Sequence, residues 1–177
     1  MVPEASWRET DVGRVPEGEG WFVLDARDAT WWHSDALGTW CNLEGDQSFA
    51  DLGFQLVVLD PGRPACMYHG ESNQEDFLVV AGECLLVIEG EERPLKQWDF
   101  VHCPPWAEHV FVGAGDGPCA IVMVGTRKPG AAYRYPVSEV AERHGASVEA
   151  ETATSREAYA RFPEPELRPY RAGDLPS

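Results

Sequence analysis

The chain has 177 residues, a formal net charge of −16 and an isoelectric point near 4.5. Such a length suits one domain with flanking arms, and such a charge excludes nucleic acid and anionic membrane, both of which require a basic surface. The longest apolar run, residues 77–88, is interrupted by Gly82 and Glu83 and is too short to span a bilayer.

Residues 1–20 are polar and rich in Glu, Gly and Pro, and are expected to form an arm ordered in part by Trp7. No basic stretch followed by apolar residues opens the chain, so no secretory leader is expected. Five cysteines, an odd number without a Cys-x-x-Cys pair, point to reduced thiols and a cytoplasmic location. Short strands are expected at 21–24, 29–32 and 38–43, the last ending at the turn signal Glu44-Gly45-Asp46. Residues 54–59 form a strand stopped by Asp60-Pro61-Gly62.

Strands then follow at 65–71, 75–81, 84–89, 99–103, 108–112 and 119–124. Gly82-Glu83, Gly90-Glu91, Pro104-Pro105 and the Gly-rich segment 113–117 separate them, with Glu89-Gly90-Glu91-Glu92 as a solvated hairpin tip. Many short strands at this spacing indicate an all-β sandwich or barrel, and a double-sheet jelly roll fits best. Past Gly125, residues 137–144 read as a helix ended by Gly145 in the left-handed stop position. Thr154-Ser155-Arg156-Glu157 has capping-box spacing and opens a second helix, to about residue 161, which Pro163 stops. The Pro-rich tail 162–177 is extended, and either packs on the barrel or a neighbouring subunit, or is disordered, or closes a pocket as a lid. The expected organisation is an N-terminal arm at 1–20, a β-barrel at 21–125 and a helical, Pro-rich extension at 126–177.

The chemistry concentrates between Gly62 and Gly113. His69 and Glu71 are two apart, so on a strand they point to one face. Ser72-Asn73-Gln74 is turn-like, and Glu75, Phe77, Val79 and Ala81 then share a face of the next strand. His109 arrives 34 residues after Glu75 on a later strand. Two imidazoles and two carboxylates converging in a barrel are costly unless a cation pairs them, and a divalent metal is the simplest partner. Glu71 is open between three roles: a ligand, a general acid/base beside a metal-bound water, and a solvated rim residue.

These residues resemble the first motif of the cupin superfamily, which runs Gly, five residues, His-x-His, three or four residues, Glu, six residues, Gly. Six residues separate Gly62 from His69; His69, Glu75 and Gly82 fall at their places, and Glu71 replaces the second His. Pro104 and His109 are similar to the second motif, with Asp99 keeping its acidic residue and Trp98, Trp106 and Gly113 standing for Gly, Gly and Asn. The resemblance covers roughly residues 53–125. It implies a double-stranded β-helix, here with short C-terminal helices, and a homodimer paired by its sheets. It also implies one divalent ion per chain (Zn, Fe, Mn or Ni) on His69, Glu71, Glu75 and His109. Cupin-like enzymes include dioxygenases, isomerases and decarboxylases, so a metal-dependent enzyme acting on a small molecule, dioxygenase- or isomerase-like with Glu71 as its catalytic group, stands first. A non-catalytic binding or sensing cupin and a storage barrel are the other readings.

Further residues are weighed beside these. Cys66 and His69 make a Cys-x-x-His spacing, but on a strand they face opposite ways; Cys66, Cys84, Cys103 and Cys119 read as small buried residues. His102 is placed on the hairpin partner of the His109 strand, where it lines the pocket or packs outward. Tyr68 and Asp76 have the opposite parity to His69 and Glu75 and face away. Gln74 stands in the turn and can reach in. His33 and His144 carry no chemistry. Trp31, Trp32, Trp40 and Trp106 line a barrel mouth or cover a sheet face or dimer interface.

Overall fold

A computed structural model describes residues 1–45 and 47–176. Asp46 of the expected turn and Ser177 of the tail lie outside the described residues. The N-terminal arm is a hairpin of β1 (Ser6–Thr10) and β2 (Gly13–Glu17). Then come β3 (Thr30–Ser34), β4 (Gly38–Asn42), β5 (Leu52–Leu59), β6 (Gly70–Glu71), β7 (Glu75–Ala81) and β8 (Glu83–Ile88). They are followed by β9 (Glu91–Lys96), β10 (Phe100–Cys103), β11 (His109–Ala114), β12 (Cys119–Thr126) and β13 (Tyr133–Arg134). The short helices α1 (Glu139–Glu142) and α2 (Ser155–Ala158) precede the last strand, β14 (Glu166–Pro169).

An antiparallel seven-stranded sheet, in the order β10-β7-β12-β5-β4-β3-β14, faces a three-stranded sheet, β11-β8-β9. Alternate side chains of both sheets fill the space between them: Val57 and Leu59, Phe77 and Val79, Cys119 and Ile121 from one, Cys84, Leu86 and Phe111 from the other. This is the expected all-β jelly roll, a double-stranded β-helix. The outer faces are covered too, which is why these strands read as nearly continuous apolar runs. Ala29, Trp31, Cys41, Val58 and Ala120 bury the outside of the large sheet beneath Leu24, Tyr170 and Leu175. Val87 and Val110 on the small sheet pack against Tyr68, Ala141 and Ala146.

Several sequence expectations shift, each for a physical reason. Residues 21–24 form no strand; Trp21 makes one isolated bridge to Glu4. β9 was not expected, because its charged residues and Pro94 suit an exposed edge, where a missing N–H costs nothing. Residues 65–69 form no regular strand. Their backbone leaves the ladder between isolated bridges at Pro64 and His69, and Met67 N–H donates to the Tyr159 hydroxyl while Tyr68 N–H donates to Ala146 C=O.

The extension holds its expected helices in shortened form. Ser138 caps α1 through Oγ, accepting from Ala141 N–H, and Gly145 follows it at φ +69°. The tail packs on the barrel: β14 pairs with β3, and a buried Arg168–Asp174 ion pair ties residues 168–174 together. Among the described residues, no helix is long and apolar enough to cross a membrane.

Candidate metal centre

Glu75 opens β7, between Cys103 of β10 and Gly125 of β12, on the inward parity of Phe77 and Val79. His109 opens β11 on the parity of Phe111 and is almost fully buried. His69 sits at the isolated bridge to His109, and Glu71 follows on β6, which is held by β13 and by Trp106 N–H donating to Glu71 C=O. One donor atom each of His69, Glu71 and Glu75 falls within 4.8 Å of the others. His109 joins them through Glu75, with Nε2 3.5 Å from Oε2.

The hydrogen bonds settle the tautomers. His69 Nδ1 lies 2.8 Å from Met67 C=O and His109 Nδ1 lies 3.0 Å from Ala107 C=O. A carbonyl only accepts, so each Nδ1 carries the proton and each Nε2 keeps a lone pair. Burial, then the neighbouring His109, pushes His69 down to about 4, and burial lowers His109 as well. Burial, then Glu71, pushes Glu75 up to about 8, and burial also raises Glu71. With Glu71 and Glu75 ionised, bare imidazole nitrogens facing carboxylate oxygens are acceptors facing acceptors. A divalent ion satisfies this donor set, and the paired ring N–H groups are the orientation such ligands require.

Two cavities meet at this group. The first, about 430 Å³, is mostly apolar and holds His69, Glu75 and His109 among Trp40, Phe77 and Phe111. Tyr159, Phe162 and Pro163 of the extension form part of its wall. The second, about 500 Å³, is polar and holds Glu71 and Glu75 but neither histidine. Gln55, Glu75 and Met123 line both.

Cys66 departs from expectation. It is half-buried, lines the first cavity and places Sγ 3.7 Å from His69 Nδ1, because the irregular backbone of 65–69 voids the strand parity. Cys84, Cys103 and Cys119 are buried. His102 is not on the hairpin partner of His109: β10 joins β7 in the large sheet, and His102 Nδ1 pairs with Asp76 Oδ1 at 2.7 Å, away from the cavities. Asp76 and Tyr68 face away from the site, and Gln74 turns to Asp76 instead of reaching in. Of the expected tryptophans, Trp40 lines the first cavity, Trp31 is core and Trp106 is half-exposed. Gln55 and Met123 were missed, although the parity of Val57 and Ile121 marks both. Tyr159 and Phe162 carry no such signal.

Residues 55–125 match the family model described as Cupin domain. No curated protein matches the chain. Among solved structures, a sugar phosphate isomerase of a cupin superfamily from Silicibacter pomeroyi is similar at 22% identity, covering 76% of this chain and 80% of that one, TM-score 0.51. A cupin protein from Bacteroides fragilis aligns at 18% identity over 55% of this chain and 83% of that one, TM-score 0.47. A DMSP lyase from Ruegeria pomeroyi aligns at 22% identity over 73% of this chain and 59% of that one, TM-score 0.46.

Proposed function

We propose, from the premise that the chain belongs to the cupin superfamily through residues 55–125, that it is a metal-dependent enzyme moving a proton on a small molecule. The observation that carries this is the convergence of two imidazoles and two carboxylates at the junction of two cavities. His69, Glu75 and His109 are assigned to the ion, which when bound supplies a Lewis acid for a substrate oxygen. Glu71 is assigned the proton. It stands beside the other three but opens on the polar cavity, where a substrate can reach it. The apolar cavity walls exclude water around the reacting atoms. An isomerase-type reaction needs only these parts.

The test is metal analysis of purified protein after equilibrium dialysis against Zn, Mn, Fe(II) and Ni in turn. The expected result is about one tightly held ion per chain for at least one of them. No retained ion with any of the four overturns the reading.

A further inference from the structure

The polar cavity contains groups that the metal centre does not use. Arg127, Lys128, Asn73 and Tyr133 line it together with Glu44, Glu71 and Glu75. Among the described residues, no Lys or Arg lines the first cavity, so the cationic side chains gather at the mouth of the second.

Arg127 is fixed in place. Its guanidinium pairs with Glu44, its backbone N–H donates to Asp51 C=O at 2.9 Å, and it lies so close to Gly53 that a Cβ there would come within 2.9 Å of Nη2. The guanidinium fork has more donors than one carboxylate oxygen uses. Lys128, next to it, is exposed and has no ion-pair partner among the described residues.

Charge bookkeeping then gives the sign of the ligand. Glu44, Glu71 and Glu75 against Arg127 and Lys128 leave one negative charge, which a divalent ion converts to one positive charge. An anionic group completes neutrality. The uncharged groups call for hydroxyls. Asn73 is buried with 6% exposure, and its Oδ1 has no partner among the described residues. Turning of that amide presents an acceptor or a donor to the cavity, and a ligand hydroxyl satisfies either. Tyr133 brings its phenol from β13, the strand that pairs with the Glu71 strand.

We propose that the polar cavity holds the charged end of the substrate, and that the substrate is a small hydroxylated anion. Its phosphate or carboxylate sits at Lys128 and Arg127, its hydroxyls at Asn73 and Tyr133, and its reacting carbon at Glu71. This rests on the metal centre proposed above, which supplies part of the charge.

The test is calorimetric titration of metal-loaded protein with glycerol 3-phosphate, glycerate, inorganic phosphate and glycerol, beside titration of the metal alone. One of the first two is expected to bind about tenfold or more tighter than phosphate or glycerol, and which of them does names the anion. Lys128→Gln is expected to weaken that ligand about tenfold and to leave metal affinity unchanged. Tyr133→Phe, which removes one hydroxyl from an exposed ring, is expected to narrow the gap between that ligand and inorganic phosphate. If metal binds but glycerol 3-phosphate and glycerate bind no better than phosphate and glycerol, or Lys128→Gln matches wild type, this proposal fails while the metal centre stands. If the metal itself does not bind, both fail.

Discussion

His69 and His109 exchange both of their backbone hydrogen bonds, N–H to C=O at 3.2 and 2.8 Å, and their rings lie 5.3 Å apart. Each ring is also steered by the carbonyl two residues before it. The backbone thus sets the ring spacing, and the Nδ1 contacts leave each Nε2 with its lone pair. Since the bridge needs only backbone atoms, His109→Ala removes a proposed ligand without removing the bridge. The expected outcome is a retained ion content below about a tenth of wild type with an unchanged far-UV spectrum. Full metal occupancy in a folded His109→Ala protein would sink the assignment.

Glu71 separates two roles that geometry leaves adjacent. Glu71→Gln keeps shape and an oxygen donor but cannot accept a proton. As the proton carrier, Glu71 makes this variant bind metal like wild type and lose at least about a hundredfold in turnover. As a ligand, it makes Glu71→Gln weaken the ion, and Glu71→His, which restores the commoner cupin donor set, bind it again. Metal titration of the two variants decides between these without any substrate, and unchanged affinity in both excludes Glu71 from coordination.

Much of this was legible in the sequence where local chemistry and the fold agree. The β7 range 75–81 was readable because a turn precedes it, Gly82 follows it at φ +71°, and Phe77 and Val79 alternate between them. The same alternation put Glu75 inside. The stretch 65–69 was not readable, because its hydrogen-bond partners at Ala146 and Tyr159 come from the extension, far along the chain. Parity fails there, which is how Cys66 came to line a cavity from which strand logic had turned it away. His102 was misplaced for a related reason: sequence adjacency suggested a β10–β11 hairpin, whereas the jelly roll sends these strands to opposite sheets. The Tyr159–Phe162 wall depends on where the extension docks, and no local pattern encodes that.

Trp98 and Trp106 stand where the resemblance to cupin motifs expects glycine, and both adopt the glycine-like conformation, at φ +76° and +72°. The fold imposes a left-handed residue at each turn whatever the side chain. Such a conformation costs a residue with a Cβ about 1–2 kcal/mol, and glycine returns part of that as unfolded-state entropy. Trp98 is 68% exposed, so little packing is lost with its ring. Trp98→Gly is expected to raise stability by about 0.5–1 kcal/mol, or about 2–4 °C in Tm for each kcal/mol. Urea unfolding with an unchanged m-value measures it, and a lowered midpoint would show that the indole packs usefully after all.

A buried ion pair helps to hold the far end of the extension. Arg168 donates from Nη1 and Nη2 to the two carboxylate oxygens of Asp174 at 2.7 and 2.8 Å, with both side chains largely buried. Removing one partner strands a buried charge, and Arg168 Nε already has no partner among the described residues. Asp174→Asn is therefore expected to cost about 3 kcal/mol, concentrated in the tail. Burial alone would raise the Asp174 carboxyl, but the Arg168 and Arg171 hydrogen bonds outweigh it and hold the group below its ordinary 3.8. A carboxyl lowered by folding contributes stability that is present above its unfolded value and lost as pH falls through the folded one. The tail should thus be firmly docked at neutral pH and loosen in acid below about 3.8. Hydrogen exchange on residues 162–176 reads both effects. Faster exchange confined to those residues is expected in Asp174→Asn at neutral pH and in wild type below that pH. Because Phe162 and Pro163 wall the first cavity, the same loosening should open the metal site to solvent and speed metal loss to a chelator. Wild-type exchange across the tail in the Asp174→Asn variant would overturn the anchor.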